Sequence, residues 1–262
     1  MMTTLAHTLD RVVEIKARPD TVFRFFTDAE RWASWWGEGS TIEPRPGGRV
    51  YVRYPNGIEA SGEVIELQAP ETIAFTFGFE SGDPMPPGSS RVTIRVEATA
   101  DGSRLHLTHQ FEDAGARDVH VQGWRYQLSL FGNIVSNEVA AEAQTSVDTW
   151  FRVWSDPDPD AREQALAAVV TPDVRFRDRF SLTDGVAELL PHISATQQFM
   201  PGVHLERRGT LRHCQGTILA EWVALGPGGA EQGQGTNVFE LDADGQICRV
   251  TGLWNSPAAS PA

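Results

Sequence analysis

Cysteine is scarce in this chain: Cys214 and Cys248 stand alone among 262 residues. Two such residues make neither a disulfide framework nor a metal-binding spacing, and each reads as a small buried hydrophobe in a strand. That usage suits a reducing, cytoplasmic location. Basic residues are also in deficit, with 22 Lys and Arg against 35 Asp and Glu, a net charge of -13. Such a field repels phosphate backbones and anionic lipid, which argues against nucleic acid or membrane as partners. No apolar run approaches the roughly 20 residues of a membrane span. The opening stretch "MMTTLAHTLDRVVEIKARPD" has no apolar core of a secretory signal. Neither HxH nor HExxH spacing occurs, so no metal is expected. A nucleophile elbow, a phosphate loop and paired carboxylates are missing too, and no cofactor is expected.

What is present is an ordinary globular composition, 40% hydrophobic and 22% charged, long enough for two cores. The first half is rich in strands. A strand over 7–17 is followed by a helix opened by Pro19 and Asp20, with Val22, Phe23 and Phe26 at helical spacing. A short helix carries Trp32, Trp35 and Trp36. Strand patterns follow at 48–54, 58–68, 72–79, 90–99 and 103–111, with a loop over 81–90. Val121, Trp124, Leu128, Phe131 and Val135 then form one apolar stripe of a long helix. A curved antiparallel sheet with one long helix against it is an α+β domain.

Composition shifts over 137–146, which suggests a linker and two domains, 1–140 and 141–262. Val147, Trp150, Phe151 and Trp154 share a helix face that Pro157 and Pro159 end. A second helix covers 160–170, a third runs near 184–200, and strands are predicted at 203–212, 214–225, 233–241 and 246–254. The last residues, 256–262, read as a disordered tail.

The run "VRFRDRFS", 174–181, is predicted as a strand. Strand alternation puts Arg175, Arg177 and Arg179 on one face, and Asp178 with Phe176 and Phe180 on the other. A carboxylate between two phenylalanines loses solvent, which raises its basicity. Three roles are open to Asp178: a structural partner, a ligand contact or a general base. His192, His204 and His213 lie on separate elements, and any of them is a candidate to assist it. Alternation also points Gln215 and Trp222 toward the same interior.

The segments "VFRFFTDAERWASWWGEGS", "GGRVYVRY", "GEVIELQAPETIAFTF", "SRVTIRVEATADGSRLHLTHQF" and "GWRYQLSLF" resemble the START-like superfamily, in the branch of the activator of Hsp90 ATPase. The resemblance covers about 8–140 and implies a helix-grip fold with a cavity between sheet and long helix. Tyr51, Tyr54, Phe75, Phe77, His109, Trp124 and Leu128 are its candidate walls. His109 is either a polar group in that cavity or a satisfied core histidine. The tryptophans at 32, 35 and 36 read as fold-holding.

"WFRVWSDPDPDAREQAL", "TPDVRFRDRFS" and "GTNVFELDADGQICRVTGLW" resemble the SnoaL-like branch of the NTF2-like superfamily. That implies a cone-shaped α+β barrel around an apolar pocket, and pairing into a homodimer. Polyketide cyclases, ketosteroid isomerases and dehydratases are among the relatives. The isomerase-like pattern makes Asp178 the base and places Trp150 and Asn237 at the two hydrogen-bond donor positions. The expected function is binding of a small hydrophobic or aromatic molecule, with cofactor-free proton transfer in the second domain. The alternative is a non-enzymatic stress-response or interaction module that dimerises through that domain.

Overall fold

The computed structural model describes residues 5–255, and the predicted tail at 256–262 lies outside the described residues. The chain divides into two compact units after Ser136.

The first unit runs β1 (His7–Ile15), α1 (Pro19–Arg24), α2 (Ala29–Trp36), β2 (Thr41–Ile42), β3 (Arg49–Arg53), β4 (Glu59–Gln68), β5 (Thr72–Phe79), β6 (Ser90–Thr99), β7 (Gly102–Phe111) and α3 (Ala114–Val139). Its seven strands form one antiparallel sheet in the order β1-β7-β6-β5-β4-β3-β2. Pro19 opens α1, where a missing N–H costs nothing. Asp28 caps α2 by accepting the Arg31 N–H at 2.9 Å. Spacing of i, i+3 and i+4 turns Trp32, Trp35 and Trp36 to one buried face of α2. The Phe131 ring of α3 stacks on Phe26 at 5.1 Å and meets Trp35 edge-on at 4.9 Å. Sheet, short helices and long helix therefore share one aromatic core.

The second unit contains α4 (Ala143–Val153), α5 (Pro159–Val169), β8 (Val170–Arg177), β9 (Leu182–Asp184), α6 (Val186–Phe199), β10 (His204–Cys214), β11 (Thr217–Leu225), β12 (Glu231–Leu241) and β13 (Ile247–Trp254). Its six strands are ordered β10-β11-β12-β13-β8-β9. The β13–β8 pair is parallel and the other pairs are antiparallel. Both units are thus α+β, each a large sheet with helices. The expected linker is mostly helical: only 140–142 form a turn between α3 and α4.

One strand differs from its prediction. The run 174–181 is not continuous, because β8 stops at Arg177 and β9 folds back on it. The Asp178 N–H donates to the Ser181 carbonyl at 3.0 Å and closes the turn between them. Alternation therefore holds as far as Asp178 and fails beyond it. Phe180 leaves the face of Phe176 and is 69% exposed.

A buried arginine fastens the helices. Arg162 of α5 is 4% exposed. Its Nη1 donates to the Asp156 carbonyl at 3.1 Å and to Gln197 Oε1 at 2.5 Å, and its Nη2 donates to Ser194 Oγ at 2.8 Å. Gln197 Nε2 in turn donates to the carbonyls of Trp154 and Asp156. The guanidinium thus joins α5, the end of α4 and α6 through neutral acceptors. Replacing Arg162 by Met is expected to cost about 2–3 kcal/mol, because these buried acceptors lose charged donors. Urea unfolding of the full chain measures it; an unchanged midpoint would show that the helices hold without this contact.

Candidate functional site

The inner face of the second sheet is built in rows. Antiparallel register sets Ala220 beside Asn237 and Asn237 beside Gly252. Parallel pairing sets Val250 beside Phe176 and Thr251 beside Arg177, so Asp178 is next in line with Gly252. Asn237, Gly252 and Asp178 thus form one lateral row. Two residues further along each strand, Ile218, Phe239, Val250 and Phe176 make a fully apolar row. On the other side stands the row of Trp222, Gly235 and Trp254. The indoles of Trp222 and Trp254 meet edge-on at 4.9 Å beside Gly235. A Cβ at Gly235 would stand 2.5 Å from Trp222.

Over this face lies a cavity of about 460 Å³. Its lining carries one carboxylate, Asp178, and one imidazole, His192, among otherwise uncharged residues. Trp154 closes it from the end of α4, and Phe199 and Met200 from the end of α6. A Cβ at Gly252 would lie 3.1 Å from Asp178 Cβ and 3.3 Å from Asn237 Oδ1. Glycine there is what keeps open the space between the two polar groups.

Three donors hold Asp178. Its Oδ1 accepts the Phe180 N–H and the Ser181 hydroxyl, each at 2.8 Å. Its Oδ2 accepts the Trp254 indole N–H at 3.1 Å. An ionised carboxylate offers about four lone-pair sites, so one on Oδ2 is left. Asn237 is 6% exposed, and its Oδ1 accepts the Trp222 N–H at 2.9 Å. Indole nitrogen only donates, which fixes the amide orientation. Asn237 Nδ2 then has no protein acceptor among the described residues. Ser181 Oγ also lies 2.8 Å from His192 Nε2.

The predicted residues divide between this site and elsewhere. Asp178, Asn237, Trp222 and Phe176 line the cavity, and Phe180 stands at its exposed edge. Trp150 does not. It lies wholly buried against Phe176 and Phe239, and Trp154 one turn later lines the wall instead. Gln215 is a second correction: it sits exposed in the turn between β10 and β11 at φ 46°, outside the alternation of either strand. Trp154, Ser181, Trp254 and Gly252 were not singled out by sequence, and His192 was only one of three candidate helpers.

In the first unit, Phe75, Phe77, His109, Trp124 and Leu128 are buried and belong to the aromatic core. Trp36 packs against Phe77, Tyr54 and Trp124. Tyr54 is half-buried, and burial pushes its hydroxyl pKa upward. Tyr51 is a correction. It faces away from Val50 and Val52, under the Arg49 guanidinium at 4.9 Å. His109 has both ring nitrogens bonded. Trp124 donates to Nδ1 at 2.9 Å. Ser90 Oγ donates to the Phe77 carbonyl at 2.7 Å, so His109 Nε2–H donates to Ser90 Oγ at 2.8 Å. This is a neutral, satisfied core histidine.

Residues 16–136 match the family model described as Activator of Hsp90 ATPase homolog 1-like protein, and 147–250 match the SnoaL-like domain model. The chain is a fusion of these two families. No match was found among curated proteins. Among solved structures, a SnoaL-like family protein from Agrobacterium tumefaciens is similar at 22% identity, covering 44% of this chain and 99% of its own, with a TM-score of 0.42. The Aha1 dimer from Colwellia psychrerythraea is similar at 17% identity, covering 47% and 90%, with a TM-score of 0.41. Among the described residues, no group of three or more metal-ligating side chains occurs, and no helix is long and apolar enough to cross a membrane.

Burial in the activator-like domain makes its stability pH-dependent. It drives the His109 pKa well below the ordinary value, with a smaller push from His120. His120 is lowered too, mainly by burial, with the Ala116 carbonyl opposing. Both bind a proton less readily folded than unfolded. Their contribution is whole above the unfolded value of about 6.5 and is lost as pH falls from there through the folded values. Thermal unfolding between pH 8 and 5 is expected to show the transition of this domain falling only below about pH 6.5. A flat midpoint would contradict the burial of these rings.

Proposed function

We propose that the SnoaL-like domain binds a small hydrophobic or aromatic carbonyl compound and moves a proton beside the carbonyl without a cofactor. The observation that carries this is the row Asn237–Gly252–Asp178 on the wall of the 460 Å³ cavity. Asp178 is the base. Its open Oδ2 site takes a proton from the carbon next to the carbonyl. The C–H electron pair becomes a C=C bond, and the carbonyl π pair moves to oxygen. Asn237 Nδ2 donates to that oxygen, and Asp178 returns its proton to carbon at the same or a neighbouring position. The apolar row of Phe239, Val250 and Phe176 supports the rest of the ligand. A cytoplasmic homodimer completes the reading, and sedimentation of the purified chain checks the dimer.

A positioned base contributes roughly 10²–10⁴-fold to rate. The test uses 2-tetralone, a bicyclic aromatic ketone. Its α-proton exchange in D₂O, followed by proton NMR, is expected to accelerate with the wild-type chain. Asp178→Asn is expected to slow exchange by about 10²-fold or more. Saturable thermal stabilisation by the ketone should survive in that variant, since binding rests on apolar surface. Equal exchange by the Asp178→Asn variant would remove Asp178 as base. Neither stabilisation nor exchange by the wild-type chain, across a set of planar ketones, would overturn the reading and favour a non-enzymatic interaction module.

A further inference from the structure

Behind Asp178 lies a second pair of groups, Ser181 and His192, whose hydrogen bonds have only one consistent direction. Ser181 Oγ sits 2.8 Å from Asp178 Oδ1 and 2.8 Å from His192 Nε2. A serine hydroxyl has one proton. An ionised carboxylate has none to give, so the serine proton lies on the Asp178 side. His192 Nε2 must then be the donor to Ser181 Oγ. The imidazole carries a proton on Nε2 whether it is neutral or charged.

We infer that His192, acting through Ser181, is a positioning residue that selects which oxygen of Asp178 serves as base. The inference rests on the reading of Asp178 as base. With Nε2 protonated, the serine can donate only to Oδ1, which also holds the Phe180 N–H. Oδ1 is thereby occupied twice, and Oδ2 keeps the open site. If the proton moved to Nδ1, carboxylate and imidazole would compete for one serine proton. Oδ1 would lose a donor, and the two oxygens would no longer be distinct.

The surroundings hold the pair in place. The His192 ring lies against Trp154 at 5.8 Å and Phe176 at 6.0 Å. Thr196 Oγ1 donates to the His192 carbonyl at 3.0 Å. Arg177 of β8 and Arg179 of the turn after it are exposed, the latter over the Phe180 ring, and four other charged groups on the neighbouring elements are engaged elsewhere. Arg162 of α5 binds Ser194 and Gln197, Glu188 of α6 itself accepts the Asp184 N–H, and Asp184 of β9 pairs with Arg175 of β8 at 3.3 Å. Asp178 is the charged group joined to His192 through a hydrogen-bonded side chain. His192 Nδ1 has no protein partner among the described residues.

The experiment needs no substrate. The full-length chain is labelled with ring ¹⁵N-histidine, and His192 is followed by long-range proton–nitrogen NMR from pH 5 to 9, with its signal assigned by loss in His192→Gln. The wild-type chain is expected to show the Nε2–H tautomer at high pH. Ser181→Ala should move the His192 Nε2 signal and expose its proton to exchange with water, and Ser181→Thr should keep the wild-type signal. Asp178→Asn, which no longer fixes the direction of the serine hydroxyl, should admit the Nδ1–H tautomer to the neutral ring. An Nδ1–H tautomer in the wild type would overturn the inference. So would an Nε2 signal that neither Ser181→Ala nor Asp178→Asn changes. Signal dispersion and thermal midpoints identify any variant that fails to fold, and Ser181→Cys then replaces Ser181→Ala. This tautomer response without ketone exchange would sink the proposed reaction and leave the pair standing. Exchange without the tautomer response would do the reverse.

Discussion

The pairing of amide and carboxylate on the wall of the SnoaL-like cavity depends on a side chain that is not there. Asn237 and Gly252 are neighbours on β12 and β13, and Asp178, the residue after β8, stands in line with Gly252. Neighbours in such a row have Cβ atoms about 5 Å apart, so a side chain at the central position would fill the gap between the outer two. The Cβ that Gly252 lacks would press on both. Without it, an amide donor and a carboxylate face a common space while each is held by an indole, Trp222 for the amide and Trp254 for the acid. The same device recurs one row away, where Gly235 makes room for Trp222. Two glycines on adjacent strands give the sheet a recess that the aromatic rows surround.

The two domains use one hydrogen-bond arrangement for different ends. Each has a serine hydroxyl 2.8 Å from a histidine Nε2. In the activator-like domain Ser90 passes its proton to a backbone carbonyl and the second ring nitrogen of His109 is bonded to Trp124. Every polar atom is satisfied, no ionised partner is near, and burial keeps the ring neutral. Such a unit fixes a core and nothing more. In the SnoaL-like domain the serine hydroxyl donates to a carboxylate on a cavity wall, and the second nitrogen of His192 has no protein partner among the described residues. The two serine–histidine contacts differ in the serine's acceptor, a backbone carbonyl in one domain and a carboxylate on a cavity wall in the other.

Much of the fold was legible because periodicity survives in this sequence. Tryptophan spacing in α2, the stripe of α3 and the alternation of β11 and β12 all transfer directly to buried faces. Trp222 was found this way, whereas Asn237 came from the resemblance to the isomerase-like pattern. Departures occurred where alternation stopped: Gln215 is exposed outside the cavity, and Phe180 reaches the cavity's edge from a turn rather than from the expected strand face. Phe180 and Gln215 lie in turns, and a turn resets which face a side chain takes. Trp150 and Trp154 share one helix face, so spacing alone could not say which meets the floor of packed rings and which meets the cavity. Trp254 and Gly252 reach Asp178 only because β13 pairs with β8 in parallel. That pairing joins Trp254 to an acid 76 residues away in sequence, a contact that no local pattern encodes. Ser181 and His192 depend on the same kind of closure, between a turn and a helix that spacing alone does not bring together.

The chemistry of the donor limits what the proposed base can work on. A neutral carboxamide is a weaker donor to a developing enolate than an acidic hydroxyl, since it has no comparable tendency to yield its proton. Trp222 offsets part of this. By donating to Asn237 Oδ1 it polarises the amide, and hydrogen bonds in series strengthen one another in a site of low dielectric. The remaining deficit falls on the ligand. A compound whose α-carbon lies between a carbonyl and an aromatic ring, or between two carbonyls, already spreads its carbanion charge and needs less from the donor. Trp154, Phe176 and Trp222 offer flat apolar walls, the surface on which a planar, conjugated ketone of the proposed kind would rest. Donor strength and wall shape therefore favour the same class of molecule, whereas an isolated aliphatic ketone would ask the site for stabilisation that Asn237 cannot supply.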